Sequence, residues 1–166
     1  MAYTKLGELV VKTSGDLPAK GSVAPAFTLS GNDLKDVSLK DFAGKNVVLN
    51  IFPSIDTRVC AESMREFNKR AASLNNTVVL CISKDLPFAM KRFCGAEGIE
   101  RVITLSDFKD KGFAKTYGVE MIDGAMEGLF ARAIVVIGPD GKVKYNELVP
   151  VIGQAPNYDA PLKVVE

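Results

Sequence analysis

Asn46-Val47-Val48-Leu49-Asn50-Ile51-Phe52-Pro53-Ser54-Ile55-Asp56-Thr57-Arg58-Val59-Cys60 is the stretch on which the reading of this chain turns. Its first seven residues are rich in β-branched and aromatic side chains and stop at Pro53, as a buried strand does. Further on, Met64, Phe67, Ala71 and Leu74 recur at helical spacing with charged residues between them. Either Asp56 or Thr57 can serve as N-cap, which sets Cys60 within about one turn of a helix start. Free N–H groups and the helix dipole favour negative charge there. A cysteine is a nucleophile only as thiolate, and an unperturbed pKa of about 8.5 leaves most of it protonated at neutral pH. The strand exit therefore reads as a device that favours the anion of Cys60. Taken alone, Cys60 also fits a small apolar position on an amphipathic helix; its place directly after the strand favours reactivity. Arg58 adds a nearby cation, and the solvated reading of its side chain is preferred to a direct effect on the thiol.

The residues on either side continue the same alternation. Glu8 to Lys12 reads as a strand, with a hairpin to the next segment as an option, before the turn-rich Gly15-Asp16-Leu17-Pro18. Ala26 to Leu29 is a short strand candidate. Thr77 to Ser83 is an apolar run of strand length, consistent with a central parallel strand covered on both faces. Asp85 and Pro87 signal a helix start, and the helix carries Met90, Phe93 and Cys94 before ending near Gly98. A strand over Arg101 to Leu105 and a helix over Phe113 to Tyr117, stopped by Gly118, come next. Ala131 to Ile137 and Lys142 to Tyr145 form a hairpin across Gly138-Pro139-Asp140-Gly141. After Tyr158 the chain is short and contains Pro161, so a full C-terminal helix is not expected. Strand, helix, strand implies a mostly parallel sheet flanked by helices, and antiparallel strands added to that core describe a thioredoxin-like α/β fold. Ligands in such open sheets bind at the carboxyl ends of strands, where Cys60 falls.

Composition narrows the chemistry. The 166 residues are 47% hydrophobic and 25% charged, which suits one domain over residues 1–166 without linker or repeat. A net charge of +1 carries no footprint for nucleic acid or an anionic membrane. Lys5, Glu8, Lys12 and Asp16 interrupt the first twenty residues, which therefore lack the apolar segment of a signal peptide or a membrane span, and a cytoplasmic protein is expected. There is no histidine, which excludes Cys-His and Ser-His pairs and removes the commonest transition-metal ligand. Whatever activates Cys60 must be arginine, hydroxyl or backbone.

Pro53-x-x-x-Thr57-x-x-Cys60 resembles the active-site signature of peroxiredoxins. With Asp85-Leu86-Pro87-Phe88-Ala89 and Arg92-Phe93-Cys94-Gly95-Ala96-Glu97-Gly98, the string is similar to the bacterial thiol peroxidase branch, and the likeness runs from about Gly21 through Tyr158. It includes Val102 to Ser106, Tyr117 to Val119 and Leu129 to Ala133. The resemblance implies that Cys60 is the peroxidatic thiolate, which attacks the terminal peroxide oxygen and becomes a sulfenic acid. It matches Thr57 to the hydroxyl that bonds thiolate and peroxide, Pro53 to the residue that shields the site from water, and Arg132 to the guanidinium that lies against the sulfur. Cys94 matches the resolving cysteine, which forms an intramolecular disulfide with Cys60. Cys81, inside an apolar strand, reads as buried filler.

The same resemblance implies hydrogen peroxide and organic hydroperoxides as substrates, thioredoxin as reductant, and a homodimer packed near the active site. Apolar residues around the site, with Phe52, Ile55 and Met121 as the candidates, would favour alkyl or lipid hydroperoxides. No cofactor is implied: three cysteines without histidine make a poor zinc set, and no Gly-rich phosphate loop follows a strand. A thiol-based redox sensor without sustained turnover, and a structural domain with inert cysteines, are the competing classes. Sustained hydroperoxide consumption with an external dithiol separates them from a peroxidase. Taken singly, Pro53 could end a strand, Thr57 could be only an N-cap, Arg132 could face solvent from an edge strand, and Cys94 could be core.

Overall fold

The computed structural model describes residues 2–165, and its first element is a two-stranded antiparallel hairpin of β1 (Tyr3–Leu6) and β2 (Leu9–Lys12). The sequence suggests a hairpin between Glu8–Lys12 and later residues. Instead the partner precedes it, because Gly7 turns the chain at φ 63°, in the left-handed region open to glycine.

The main sheet contains β3 (Thr28–Ser30), β4 (Asp36–Ser38), β5 (Asn46–Ile51), β6 (Thr77–Ser83), β7 (Ile103–Ser106), β8 (Ala133–Ile137) and β9 (Val143–Leu148), in spatial order β4-β3-β7-β6-β5-β8-β9. The parallel part is its centre. β5 pairs with β6 and β6 with β7 in parallel register. The two crossovers are α1 (Arg58–Ala71) and α2 (Pro87–Glu97), as parallel neighbours require. Outside that trio the pairs β5–β8, β8–β9, β3–β7 and β3–β4 are antiparallel.

Side chains alternate across β5, so Val47, Leu49 and Ile51 enter one core while Val48 enters the other. The first core is closed by Phe113, Ala114 and Tyr117, from α3 (Phe113–Thr116) and the residue after it. The second lies under α1 and α2, whose Cys60, Met64, Phe67 and Met90 all have 0% exposure. Burial on both faces is why β6 reads as an apolar run and why β5 is apolar at every position but Asn46 and Asn50.

Several boundaries differ from expectation. Strand β3 occupies Thr28–Ser30, and β7 begins at Ile103 rather than Arg101. Asp85 does not cap α2; Leu86 holds the N-cap position and Pro87 opens the helix, while the Asp85 carboxylate turns to the loop after β5. A short α4 (Asp159–Lys163) forms despite Pro161, which is tolerated because it lies in the first turn. Its Asp159 pairs with Arg70 of α1, and Tyr158 packs edge-on against Phe67 at 5.3 Å. Among the described residues, no helix is long and apolar enough to cross a membrane.

Candidate active site

Cys60 lies in the first turn of α1, at the carboxyl end of β5. Thr57 is the N-cap, with an extended backbone at φ −97° and ψ 148°, but its side chain does not cap the helix. The Thr57 hydroxyl instead donates to the carbonyl of Ser54 at 2.9 Å, and the Thr57 N–H donates to the same carbonyl at 3.2 Å. The early N–H groups of α1 thus have neither an intrahelical acceptor nor a side-chain cap. Cys60 itself is fully buried, and its carbonyl accepts from Ser63 Oγ at 2.9 Å.

Arg132 reaches this place through sheet register, although 72 positions separate it from Cys60. Ile51 of β5 pairs with Ala133 of the antiparallel β8, so the next position on each side sets Arg132 across from Phe52 and next to Pro53. Arg132 is 2% exposed, which excludes the solvent-facing reading. Its Nε donates to the Ile152 carbonyl at 2.9 Å, and one terminal guanidinium nitrogen has no partner. Among the described residues no carboxylate pairs with it. A buried cation left without a counter-charge is costly, and here it stands at a cavity.

That cavity, of about 230 Å³, brings together three of the expected residues. Cys60, buried and next in sequence to Val59, is not among the lining residues, and neither is Cys94. Pro53, Thr57 and Arg132 line it together with Arg58 and Val59 from the start of α1. Leu6, Met126, Ile152 and Gly153 complete its wall. Arg58 projects largely into solvent and pairs with Glu62 at 3.3 Å, so it edges the cavity as a solvated cation.

The apolar lining is not the one expected. Phe52 and Ile55 are buried in the core that also holds Cys60, and Met121 is buried against Val11, Ala131 and Ile152. None of the three lines the cavity. Leu6 and Ile152 arrive instead because the Lys5 backbone bonds Pro150 and Ile152, which staples the N-terminal hairpin to the segment after β9. Neither carries a local pattern that would mark it beforehand.

Cys94 is on α2, half-buried, and packs against the core that contains Cys60. Burial pushes its thiol up, opposed by a hydrogen bond with the Thr104 side chain. Thr104 is the register partner of Cys81, whose thiol burial pushes up to about 12 against the opposing Asn50 hydrogen bond. Asn50 Nδ2 lies 3.6 Å from Cys81 Sγ and 3.3 Å from Ser63 Oγ. All three cysteines are free thiols. Cys81 is enclosed and all but unionised near neutral pH, the state of a packing residue. Among the described residues, no cluster of thiols and carboxylates is arranged to hold a metal ion.

The redoxin family profile matches residues 19–162. The chain is 60% identical over 162 residues to the thiol peroxidase of Mycobacterium bovis, covering 98% of this chain and 97% of that one. A peroxiredoxin-like protein from Aquifex aeolicus superposes with a TM-score of 0.93 at 35% identity, over 99% of this chain and 96% of that chain. The thiol peroxidase of Chromobacterium violaceum shares the fold, with a TM-score of 0.89 at 23% identity and coverage of 98% and 94%.

Proposed function

Because the chain belongs to the redoxin family, as one of its thiol peroxidases, we propose that Cys60 is the residue that cleaves the peroxide and Cys94 the residue that resolves it. The observation that carries this assignment is Arg132, a buried guanidinium with a nitrogen unpartnered, beside Pro53 and Thr57 at one cavity. An uncompensated cation there stabilises the negative charge that develops as the O–O bond breaks.

In the first step the Cys60 thiolate attacks the terminal peroxide oxygen. The S–O bond forms, the O–O bond breaks, and a proton joins the leaving oxygen to give water or an alcohol and a sulfenic acid. Thr57 has its proton committed to Ser54, so its oxygen lone pairs are free to accept from the peroxide hydroxyl. The free N–H groups at the start of α1 donate to the attacked oxygen. Pro53 closes the wall against water. The Cys94 thiol then condenses with the sulfenic acid, releasing water and leaving a Cys60–Cys94 disulfide. Each cysteine lies within a helix, so the bridge requires local unwinding to bring the Cα atoms within about 7 Å.

A dithiol of the thioredoxin type reduces the disulfide and becomes oxidised in turn. Hydrogen peroxide is the smallest substrate of this class, and Leu6, Val59, Met126 and Ile152 supply apolar surface for the organic part of an alkyl or lipid hydroperoxide. The protein acts as one domain over residues 1–166, in the cytoplasm and as a homodimer.

The test is a coupled assay with thioredoxin, thioredoxin reductase, NADPH and an organic hydroperoxide. Wild type turns over continuously, Cys60→Ser does not, and Cys94→Ser is oxidised once without being recycled. Peptide mapping after one equivalent of peroxide finds the Cys60–Cys94 bridge. Continued turnover by Cys60→Ser, or a different bridge, overturns the assignment, and a single oxidation without turnover in wild type would mark a sensor.

A further inference from the structure

Asp85 stands just past the end of β6 and two positions before Pro87 opens α2. Its side chain nevertheless reaches the loop between β5 and α1. Asp85 Oδ1 accepts from Ser54 Oγ at 2.8 Å, and Oδ2 accepts from the Ile55 N–H at 2.8 Å and from Ser83 Oγ at 2.6 Å. Its own N–H donates to Ser83 Oγ at 3.1 Å, and its carbonyl accepts from the Ser106 hydroxyl. No ion pair involves Asp85 among the described residues. The charge is therefore committed to hydrogen bonds that tie the segment before Cys60 to the segment before Cys94.

We propose that Asp85 is a positioning residue of the peroxidase cycle, a latch that holds the reduced enzyme in its peroxide-reactive form and must loosen for the disulfide to form. The proposal rests on the assignment of Cys60 and Cys94 made above. The latch acts through Ser54. The hydroxyl of Ser54 donates to Asp85 and accepts from the Asp56 N–H at 3.1 Å, while its carbonyl takes both the N–H and the hydroxyl of Thr57. Holding Ser54 thus sets the direction of the Thr57 lone pairs at the cavity. The carboxylate takes all three donors on its two oxygens in charge-assisted bonds; an amide would make the Ser54 hydroxyl turn round to accept from its NH₂, in a neutral and weaker contact.

The two halves of the cycle make opposite demands on this contact. Peroxide attack needs Thr57 and the start of α1 fixed, whereas disulfide formation needs the starts of both helices released. Loss of the latch therefore slows the first step and speeds the second. A residue that only stabilised the fold would lower the melting temperature without producing that opposition.

Single-turnover stopped-flow kinetics on the whole protein, with hydrogen peroxide and with cumene hydroperoxide, resolve both steps. In Asp85→Asn the second-order rate of Cys60 oxidation falls about tenfold. The rate of Cys60–Cys94 closure rises, and the peroxide dose needed for overoxidation rises with it. Ser54→Ala removes the Oδ1 contact and the acceptor of the Asp56 N–H but leaves the Ile55 and Ser83 contacts of Asp85. It shifts both rates in the same directions but less, and the double variant is no worse than Asp85→Asn because the two share one network. If Asp85→Asn does not fold, Ser54→Ala alone decides by the same pair of rates. Both steps slowing together, or an unchanged oxidation rate, overturns the latch. Failure of wild type itself to oxidise at Cys60 overturns the underlying assignment, a result distinct from either.

Discussion

The hydroxyl of Thr57 donates to the carbonyl of Ser54 at 2.9 Å although Thr57 occupies the N-cap of α1. An N-cap threonine ordinarily accepts from the helix's own N–H groups. Here the side chain is turned away from that work, and the first N–H groups of α1 are left for an oxygen supplied from the cavity.

Thr57→Ser keeps that geometry, and Thr57→Val keeps its volume while removing the oxygen. The serine variant should retain kcat/KM for hydroperoxide within about threefold, and the valine variant should lose roughly 10²-fold, the scale of one transition-state hydrogen bond. Helix stability should move little in either, because no cap bond is lost. A valine variant as active as wild type in stopped-flow assays would remove Thr57 from the mechanism.

What is legible in the sequence depends on the range of the interactions. Thr77–Ser83 forms over the residues its apolar run marks, and Cys60 falls in a first helical turn, because strand burial and helix periodicity are local signals. Only resemblance brings Arg132 to the site: its approach depends on the Ile51–Ala133 register, which no spacing in the chain encodes. Asp85 reads as a helix cap from its position before Pro87, since residues of its type commonly cap. The structure uses it as an acceptor for Ser54 and Ile55, about thirty residues away. Apolarity near the motif points to Phe52, Ile55 and Met121 as cavity lining, and the same apolarity takes them into the core.

Arg132 makes a separable claim about stability. Its guanidinium is buried with one nitrogen unpaired, so Arg132→Met removes an uncompensated charge and keeps most of the packing. The Ile152 carbonyl loses its donor, an offset of about 1 kcal/mol. Urea denaturation of reduced protein should show stability unchanged or raised by about 1–2 kcal/mol, while kcat/KM for hydroperoxide falls roughly 10²–10³-fold. A loss of stability larger than the loss of function would make Arg132 a structural residue.

Cys81 predicts an alkaline limit. Burial raises its thiol from 9.0 to about 12, so the folded protein holds this proton more tightly than the unfolded chain. The resulting stabilisation is complete below pH 9.0 and is lost as pH rises toward about 12, at ~1.4 kcal/mol per pH unit. Cys81→Ala costs about 1–2 kcal/mol at pH 7 through lost packing, yet its stability should fall less steeply than that of wild type above pH 9. Parallel slopes in denaturant titrations from pH 8 to pH 10.5 would contradict the burial argument.

Asp107 predicts the reverse benefit from removing a charge. It is 2% exposed, one carboxylate oxygen has no partner, and burial together with the neighbouring Asp110 charge raises its pKa from 3.8 to about 6. A carboxyl raised in this way favours the folded state while it is protonated. That contribution is present below pH 3.8 and is lost as pH climbs through about 6, which leaves a buried, incompletely paired anion at neutral pH. Asp107→Asn copies the protonated form at every pH. Its gain over wild type should be about 1–3 kcal/mol at pH 8 and should shrink toward zero at pH 4. Denaturant midpoints of the two proteins at those two pH values measure the difference. An equal gap at both would show that Asp107 titrates alike folded and unfolded, and that Lys84, the Lys111 N–H and surrounding water already satisfy its charge.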